Sequence, residues 1–537
     1  MRRANAEPLR RLLRFDEPPA EYELLENEQG EPPFFGGWRS GAQQTARRES
    51  AVPTVSAQLE ENLRRLSGEY RRDINTDLIL RRFSLGGRVR AAVAFFDGMA
   101  DAARINDFIL RPAMRRGALS GAGDAPLAQF VLEHVLAMQD ASLTADWEEV
   151  RTAVSEGRCA LLVDGDAQAI VMDTRGFPGR TVTEPRNETV ILGPHEAFTE
   201  NIRTNISLLR KIIRTDDFVC EFRHAGAANN VRLAVAYREG VANRTLVNEV
   251  KRRLARVDTL KIISIGMLVQ LIEEHPYSPV SQSLITERPD RTASALMDGH
   301  VAILVEGSPQ ACVMPVTFFM LMTSAEDAYL RPVAVSIIRL VRYLGAFFST
   351  ILPAYFVALA LHHQGMLSEE ILATIASSRH MVFLPLALEM IFLQLVFQLV
   401  REASLSAPGP MGQSVGIIGG LILGQAAVAA NIVSTVVLII VAISGLGNFT
   451  IPDYRTQNAI SYFRILLVLS GWLGGLLGLM YALLLSAAYL ASLKSCGVPF
   501  LTPVSPKTMS REPQVLRKRR RNERGTLDYT NAGGRRA

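Results

Sequence analysis

Two long stretches of this chain contain no Asp, Glu, Lys or Arg, and they limit its fold more than any other feature. They run from Ala403 to Pro452 and from Ile465 to Leu493, which gives 50 and 29 consecutive uncharged residues. A helix needs about 20 apolar residues to cross a bilayer. Both stretches exceed what a soluble core requires, so they predict an all-α polytopic transmembrane domain within residues 330–500.

The distribution of charge predicts which side of a membrane the termini occupy. The chain has a formal net charge of +5, but residues 501–537 hold ten basic and three acidic residues and so carry +7, which leaves −2 for the rest. Basic segments next to spans stay on the cytoplasmic side. We interpret the basic run at Lys518 as this topological signal rather than as a nucleic-acid site. The N-terminal residues have no apolar core of a signal peptide, which predicts a cytoplasmic N-terminus as well.

An internal repeat organises the part of the chain before the spans. Gly157–Met172 aligns without gaps to Gly299–Met314, with nine identities in 16 positions. Duplicated subdomains are the natural explanation of such a repeat. Strand-turn-helix patterns at Asp97-Gly98 and around Gly240 indicate that both subdomains mix helices and strands, which predicts an α/β region.

Each copy of the repeat has two apolar runs separated by an acidic residue and a glycine, Asp164-Gly165 or Glu306-Gly307. Such pairs are typical of β-hairpin turns, since glycine adopts the positive φ that the turn requires. A general acid or base is the alternative role for the carboxylates. The chemistry of the turn already explains them, and we prefer it.

Between the two copies, apolar residues recur at helical spacing. They are Phe198, Ile202, Ile206, Leu209 and Ile213. This pattern predicts a helix with one buried stripe and a solvated opposite face. The charged residues assigned to that opposite face are Glu200, Arg203, Lys211 and Arg214.

These patterns divide the chain into five parts. The predicted parts are a disordered arm (1–65), a first α/β subdomain (66–192), a second α/β subdomain (193–329), the transmembrane domain (330–500) and a basic cytoplasmic tail (501–537).

Four apolar blocks define the predicted spans. The first is Tyr343–Leu361, the second Met381–Val400, the third the long stretch Met411–Phe449, and the last Ile465–Leu493. Cytoplasmic termini require an even number of crossings. We prefer four, with part of the third block re-entrant and the last block a single tilted helix. Six crossings is the other solution, and it requires the last block to break at Gly474-Gly475.

Polar side chains within the second span are candidate functional residues. Glu389 is predicted near the middle of the span, with Gln394 and Gln398 beyond it. An ionisable side chain at mid-span costs a few kcal/mol and faces protein interior or water. Two roles stay open: Glu389 paired with an arginine or held by neighbouring helices, or a conduit or gating role for all three residues.

Glycines spaced four apart predict close helix packing, within the chain or between copies. The candidates are Gly416, Gly420, Gly424, Gly471 and Gly475.

The Walker A and HExxH patterns are absent from the sequence, and GxSxG occurs only at Gly412–Gly416, inside the uncharged stretch from Ala403 to Pro452. These patterns give little support to an enzyme. The four cysteines show no metal-ligand or disulfide spacing, and His362-His363 has no companion ligand nearby. We therefore predict no metal and no cofactor.

Several segments, in order along the chain, resemble the GerA family of spore germination proteins. They are NTDLILRRF from Asn75, FFDG from Phe95, GPHEAFTENIRTNISLLRKIIR from Gly193, EVKRRL from Glu249, SPVSQSLITERPD from Ser278, ILVEGSPQACVMPVTFF from Ile303, REASLSAP from Arg401, GGLILGQAAVAANIVS from Gly419 and FTIPDY from Phe449. The resemblance extends from about residue 70 to 505.

The resemblance implies an A subunit of a nutrient germinant receptor in the inner membrane of a bacterial spore. It implies two partners, a transporter-like B subunit that binds the nutrient and a lipoprotein C subunit. It also implies a homo-oligomer, expected to be a pentamer, that acts as a nutrient-gated cation channel. The alternative is a non-conducting SpoVAF-type scaffold, which shares this architecture and amplifies germination.

Overall fold

The structure, a computed structural model, describes residues 54–121, 126–176, 184–185, 187–257, 259, 261–406, 424–507, 516–517 and 530. Its N-terminal part contains two five-stranded antiparallel sheets, and its C-terminal part is mostly helical. The mixture of helices and strands in the N-terminal part agrees with the sequence analysis. Every strand pairing in these two sheets is antiparallel.

The first subdomain has strand order β1-β2-β4-β5-β3. Helices α1 and α5 cover one face of this sheet, and the segment α2 to α4 covers the other. In chain order its elements are α1 (Leu59–Glu69), β1 (Leu78–Leu85), β2 (Val89–Phe96), α2 (Ala102–Arg104), a π-helical turn (Ile105–Leu110), α3 (Arg111–Ala113), α4 (Leu127–His134), β3 (Ala141–Thr144), α5 (Trp147–Ser155), β4 (Cys159–Val163) and β5 (Ala169–Met172).

The second subdomain repeats this arrangement with strand order β6-β7-β9-β10-β8. Helices α7 and α8 cover one face, and α6 and α9 cover the other. Its elements are α6 (Ile202–Ile212), β6 (Phe218–Ala225), β7 (Val231–Arg238), α7 (Arg244–Ala255), α8 (Ile265–Ile272), β8 (Leu284–Thr286), α9 (Pro289–Met297), β9 (Val301–Val305) and β10 (Ala311–Met314).

The duplication extends to individual hydrogen bonds. The Asn62 side chain bonds the backbone N–H and C=O of Ser56, and the Asn205 side chain bonds the same two groups of Thr199. Both asparagines are buried, and both lie six residues after their partner. The same device therefore fixes the start of α1 and the start of α6, which the 16-residue repeat alone did not reveal.

Both predicted hairpins form, with the same register. Cys159 lies opposite Met172 in one, and Val301 lies opposite Met314 in the other. Gly165 and Gly307 have φ of +91° and +82°, as the turn interpretation requires.

The predicted stripe between the repeats is buried, but the helix is shorter than the stripe. All five apolar residues from Phe198 to Ile213 are at most 3% exposed, whereas α6 covers only Ile202–Ile212. The predicted boundary of the N-terminal arm also differs, because α1 starts at Leu59 and packs Leu59 and Leu63 into the first core. The arm before residue 54 lies outside the described residues.

A buried ion pair joins the two subdomains. Arg210 of α6 donates from Nε and Nη2 to the Asp77 carboxylate at 2.6 and 2.9 Å, and from Nη2 to the Asn75 side chain at 3.1 Å. Its guanidinium also lies 3.9 Å from the centre of the Phe96 ring. Asp77 and Arg210 are at most 4% exposed, so solvent screens this pair little.

Two short elements end the second subdomain, α10 (Phe318–Leu321) and a 3₁₀ turn (Ala325–Ala328). The helical region follows directly, with α11 (Pro332–His362), a 3₁₀ turn (Gln364–Met366), α12 (Glu369–Arg379), α13 (Leu386–Ser406), α14 (Thr435–Phe449) and α15 (Tyr454–Ser492). The short strands β11 (Lys494–Ser495) and β12 (Val498–Pro499) come after α15. Among the described residues, α11 and α15 have the length and apolar composition of membrane spans.

The last helix reverses its direction at Gly475, where φ is +57° and ψ is −143°. Arg455 and Tyr489 would lie about 50 Å apart in a straight helix. Both instead contact the segment from Glu273 to Ser278, and the Tyr489 ring centre lies 6.3 Å from that of Phe463. The prediction of one long tilted helix in this block was therefore wrong, and the alternative with a break at Gly474-Gly475 agrees with the structure.

The second predicted span also needs correction. The helix α13 begins at Leu386, just after Pro385, and continues to Ser406 rather than covering Met381–Val400. Glu389 consequently lies in the first turn of the helix and not in the middle of a span. The apolar pattern did not place this boundary because the residues before Pro385 are apolar too.

We expect Asp77→Asn to lower the free energy of unfolding by about 3–5 kcal/mol, because it leaves the Arg210 charge buried without a counter-charge. The midpoint of thermal unfolding of the detergent-solubilised chain, followed by tryptophan fluorescence, should fall by roughly 10 °C.

A matched control is Glu60→Gln, which breaks the exposed Arg82–Glu60 pair at the surface of the same subdomain. Exposed pairs contribute about 0–1 kcal/mol. Equal, small shifts for the two variants would show that the Asp77–Arg210 pair does not stabilise the junction of the subdomains.

Candidate functional site

The junction between the second subdomain and the helical region is built on a buried carboxylate. Asp327, which is 3% exposed, accepts hydrogen bonds from Arg342 Nη1 at 2.8 and 2.9 Å and from Arg339 Nε at 3.1 Å. The sequence analysis used these two arginines only as topological markers at the start of a span. The structure adds that they hold the first turns of α11 against the soluble region.

The start of α15 makes a second ionic contact with the second subdomain. Arg455 donates to Glu273 Oε1 at 3.1 Å and to Ser283 Oγ at 3.2 Å. Glu273 Oε1 also accepts from the backbone N–H of Gln282 and from Ser283 Oγ. A carboxylate satisfied by so many donors is a rigid attachment point.

The chain returns from α15 into the same subdomain. Ser495 Oγ donates to the Gln282 carbonyl at 2.6 Å and accepts from the Val316 N–H at 2.9 Å. The Phe318 N–H donates to the Phe500 carbonyl at 2.8 Å.

We call these three contacts the coupling surface: Asp327 with Arg339 and Arg342, Glu273 with Arg455, and the β11–β12 hairpin with its partners. The end of the helical bundle at this surface is the inner end. The opposite end, at His362, Glu389 and Gly475, is the outer end. The bundle is therefore bonded to the second subdomain both where the chain enters it and where the chain leaves it.

Glu389 lies at the outer end and is fully buried. Its Oε1 accepts hydrogen bonds from the backbone N–H and the hydroxyl of Ser434, at 2.5 and 2.6 Å. Arg379 Nε lies 3.4 Å from its Oε2. The arginine partner that the sequence analysis considered is therefore present, and Glu389 ties α13 to the N-terminus of α14.

The structure does not bring the three polar candidates of α13 together. Gln394 is 6% exposed, and its amide has no hydrogen-bond partner within the described ranges. Gln398 is only half-buried. At 100° per residue, Glu389 and Gln398 lie on opposite edges of the buried face of α13.

The predicted glycines fall into three groups. Gly416 and Gly420 lie outside the described residues. A Cβ on Gly424 would lie 3.9 Å from the Leu438 side chain, which is an ordinary van der Waals distance. Gly471 is a true close-packing position, since a Cβ there would lie 2.8 Å from the Ala354 carbonyl oxygen of α11. Gly475 serves the reversal of α15, where its neighbours are His362 and His363.

A second close contact escaped the sequence analysis. A Cβ on Gly447 of α14 would lie 2.4 Å from the Gly345 carbonyl oxygen of α11, and one on Gly445 would lie 2.6 Å from the Phe397 ring. The glycines at 445 and 447 are two apart, so they do not form a GxxxG pattern. The available signal was only the pair of small residues inside an otherwise bulky apolar run.

The acidic residue of the first hairpin acts as a structural ion. Its pKa is held below the usual range by the Leu59 N–H, which donates to Asp164 at 3.0 Å, and by Arg90. Gly165 and Gly307 donate their N–H groups to the carbonyls of Ala57 and Glu200 respectively, at 2.8 Å. Both hairpin turns therefore dock against the segment that leads into the first helix of their own subdomain.

The cysteine thiols are buried. Burial raises the pKa of the Cys159, Cys220 and Cys312 thiols, and it raises that of Cys496 to about 12. A thiol of that kind is a poor nucleophile at neutral pH.

The fold and the coupling surface define a protein in which a duplicated soluble module is fused to an apolar helical bundle that leaves it and returns to it. Residues 64–524 match the family model described as Bacillus/Clostridium GerA spore germination protein. The chain belongs to the GerA family of spore germination proteins.

Several relatives are similar over most of their length. Spore germination protein KA of Bacillus subtilis (strain 168) is 30% identical over 84% of this chain and 82% of the relative. Spore germination protein B1 of the same organism is 32% identical over 83% of this chain and 93% of the relative. GerLA of Bacillus cereus is 31% identical, over 84% and 91%.

One solved structure is similar over half of this chain. The crystal structure of the N-terminal domain of the A subunit of the Bacillus megaterium spore germinant receptor GerK3 is 27% identical. It covers 50% of this chain and 99% of its own, with a TM-score of 0.41.

We expect Gly475→Ala to destabilise the bundle by about 1–3 kcal/mol. Its φ and ψ belong to a region that only glycine adopts readily, and the new Cβ would lie 2.9 Å from the side chains of His362 and His363. The measurement is the midpoint of thermal unfolding of the purified chain in detergent.

The adjacent Gly474→Ala is the control, because a Cβ there meets nothing within 4 Å and the residue is helical. It should leave the midpoint unchanged or raise it slightly, since alanine favours helix by up to about 1 kcal/mol. If both variants behaved alike, the reversal at Gly475 would be wrong.

Proposed function

We propose that this chain is the A subunit of a nutrient germinant receptor, located in the inner membrane of a bacterial spore with both termini in the cytoplasm. Membership of the GerA family and the names of the relatives support this role. The observation that carries it is the coupling surface, because buried ion pairs at Asp327 and Glu273 connect a soluble module to two helices of an apolar bundle. In this role the soluble module and the bundle act as one signal-transducing unit.

The bundle is proposed to cross the membrane six times. Helix α11 runs from the inner to the outer end, and α13 runs back, ending where Arg401 contacts Asn458. Helix α14 starts at the outer end beside Glu389, so the chain returns to that end between α13 and α14. The two halves of α15 give the last two crossings. Six crossings keep both termini on one side, which agrees with the basic tail.

The six-crossing topology predicts the accessibility of two engineered cysteines. Gly474→Cys should react with a membrane-impermeant maleimide from the external face only, because the reversal of α15 lies at the outer end. Pro452→Cys, in the exposed connection between α14 and α15, should react from the cytoplasmic face only.

Labelling in right-side-out and inside-out vesicles separates the alternatives. An unbroken last helix would place residue 474 within the bilayer, and it would stay unlabelled from both sides. The native thiols are all buried, so they provide a low background.

We further propose that copies of the chain, expected to be five, assemble into a nutrient-gated channel for monovalent cations. The interior of a single bundle is unsuited to a cation path, because Arg401 and Arg464 are buried in it. The conduit is therefore assigned to the space between copies. Half-buried Gln398 is the candidate of α13 for facing it, whereas Glu389 and Gln394 are assigned to gating within one chain.

The proposed partners follow from the same role: a transporter-like B subunit that binds the nutrient and a lipoprotein C subunit. In this arrangement, binding of the nutrient to the B subunit moves the second subdomain or the outer end. The Glu389–Ser434 contact then changes, because it links α13 to α14 at the outer end.

The test is the cation conductance of the purified chain in lipid vesicles, with and without its B and C partners and a nutrient mixture. We expect conductance only when partners and nutrient are both present. Glu389→Gln should alter that conductance without preventing assembly, because the amide cannot reproduce the ion pair with Arg379 and keeps only part of the bonding to Ser434.

Glu402→Gln, an exposed carboxylate on the same helix, is the matched control and should conduct like the wild type. A correctly assembled complex that stays silent with every nutrient would favour the non-conducting scaffold. Normal conductance by Glu389→Gln would reject a gating role for that residue alone.

A further inference from the structure

The inner half of the bundle contains two arginines without a counter-charge. Arg401 of α13 and Arg464 of α15 are 6% and 3% exposed. Neither forms an ion pair with any residue in the described part of the chain. Arg401 bonds Asn458, which lies six residues, or about 9 Å of helix, before Arg464 on α15. Burying like charges side by side is costly unless something negative accompanies them.

The contacts that these arginines do make are neutral. Arg464 Nη2 donates to Ser349 Oγ at 2.6 Å, and Arg401 Nη2 donates to the Asn458 side chain. The Arg401 guanidinium also lies 5.8 Å from the centre of the Tyr454 ring. Hydroxyl, amide and ring groups orient a guanidinium but do not neutralise it.

Several donors at this place are left over. Arg401 Nε, Arg401 Nη1 and Arg464 Nε are buried and have no hydrogen-bond partner among the residues that the structure describes. The amide of Asn448, which is 1% exposed, has none there either. Asn448 lies one helical turn from Ser444, whose hydroxyl bonds the carbonyl of Ser349. Donors from α13, α14 and α15 therefore occur within about two helical turns of one another along the bundle.

The chain itself has little to offer as a counter-charge. No Asp or Glu occurs anywhere from Ala403 to Pro452. The acidic residues that flank this stretch are engaged elsewhere: Glu402 points to the exposed side of α13, and Asp453 caps α15 by accepting from Thr456 at 2.7 Å. Among the described residues, therefore, no carboxylate balances the two arginines.

We propose that Arg401 and Arg464 hold an oxyanion of the phosphate class inside the inner end of the bundle, with Asn448 as a neutral donor. Two guanidinium groups carry +2, which a phosphate dianion balances and a single carboxylate does not. A tetrahedral oxyanion also has enough oxygens to accept from the separate donors of two helices, and guanidinium groups favour such bonding. The group could be free phosphate, which balances both charges, or the phosphodiester headgroup of an anionic phospholipid, which offers the same kind of oxygen but only one negative charge.

This inference does not depend on the proposed channel, since it concerns the stability of the bundle of a single chain. If the site is correct, a bound anion holds α13 and α15 together at their inner ends. Loss of the anion would leave two repelling charges there, so the inner end of the bundle would be sensitive to the phosphate or lipid around it.

The first experiment titrates the delipidated full chain in neutral detergent with sodium phosphate, against sodium chloride at equal ionic strength, and measures the midpoint of thermal unfolding. Phosphate should raise the midpoint by about 5 °C beyond chloride, because a ligand that binds only the folded state stabilises it. A second arm compares nanodiscs of phosphatidylcholine with nanodiscs that also contain phosphatidylglycerol, and looks for retained phospholipid by native mass spectrometry. A response to phosphate identifies free phosphate as sufficient, and retention of phosphatidylglycerol identifies the headgroup.

The variants Arg464→Gln and Arg401→Gln should lose the response in either arm and should unfold at a lower temperature than the anion-loaded wild type. Arg331→Gln, which removes the same charge from an exposed position at the start of α11, should retain it. Arg464→Lys keeps the charge and loses the forked geometry, so it should show a reduced response. If phosphate and anionic lipid act on the wild type no more than chloride does, the proposal is overturned. A rise in midpoint for Arg464→Gln would also overturn it, since removal of an uncompensated charge stabilises.

Discussion

The burial of Asp327 between Arg339 and Arg342 is the interaction on which the relation of the two halves depends. A carboxylate that is 3% exposed is tolerated only when its charge and its lone pairs are satisfied, and two guanidinium groups of α11 do this. Because both arginines lie within the first three turns of the helix, the direction in which α11 leaves the soluble region is fixed. The remaining contacts of the coupling surface, at Glu273 and at the β11–β12 hairpin, then have to match that direction.

The duplicated subdomains have the same topology but make different contacts with the rest of the chain. The asparagine device at the start of α1 and α6 and the docked hairpin turns are common to both. The Asp77–Arg210 pair exists once, because it joins one subdomain to the other. Likewise, among the residues that the structure describes, it is the second subdomain that packs residues of α15 and of the segment after it, on its α6 and α9 face; they include Ala459, Leu493 and Phe500. The two copies therefore share one fold, and the second copy makes the contacts with the bundle described above.

The parts of this architecture that neighbouring residues determine could be predicted from the sequence. The Asp-Gly and Glu-Gly turns, the stripe from Phe198 to Ile213 and the break available at Gly474-Gly475 are all encoded by neighbouring residues. What could not be predicted depends on partners distant in the chain. Arg210 lies on the buried stripe, four residues after Ile206, and only the fold supplies Asp77 to receive it. The contact of Gly345 with Gly447 has no pattern of its own, since each glycine belongs to a different helix.

At the candidate site too, composition identifies a residue of interest, but only the folded structure shows its partners. Composition correctly directs attention to Glu389, because an acidic residue in an apolar segment needs a reason. The start of α13 after Pro385, however, moves Glu389 to the outer end, where Arg379 supplies a counter-charge and Ser434 bonds one of its two oxygens. Arg401 and Arg464 lie at the edges of the uncharged stretches. Among the described residues, they are buried and have no counter-charge. Because Glu389 is paired with Arg379, the buried charges of the bundle that lack a described partner are positive. A path for cations through one chain would have to pass these arginines and the oxyanion proposed between them, so a conduit between copies agrees better with their positions.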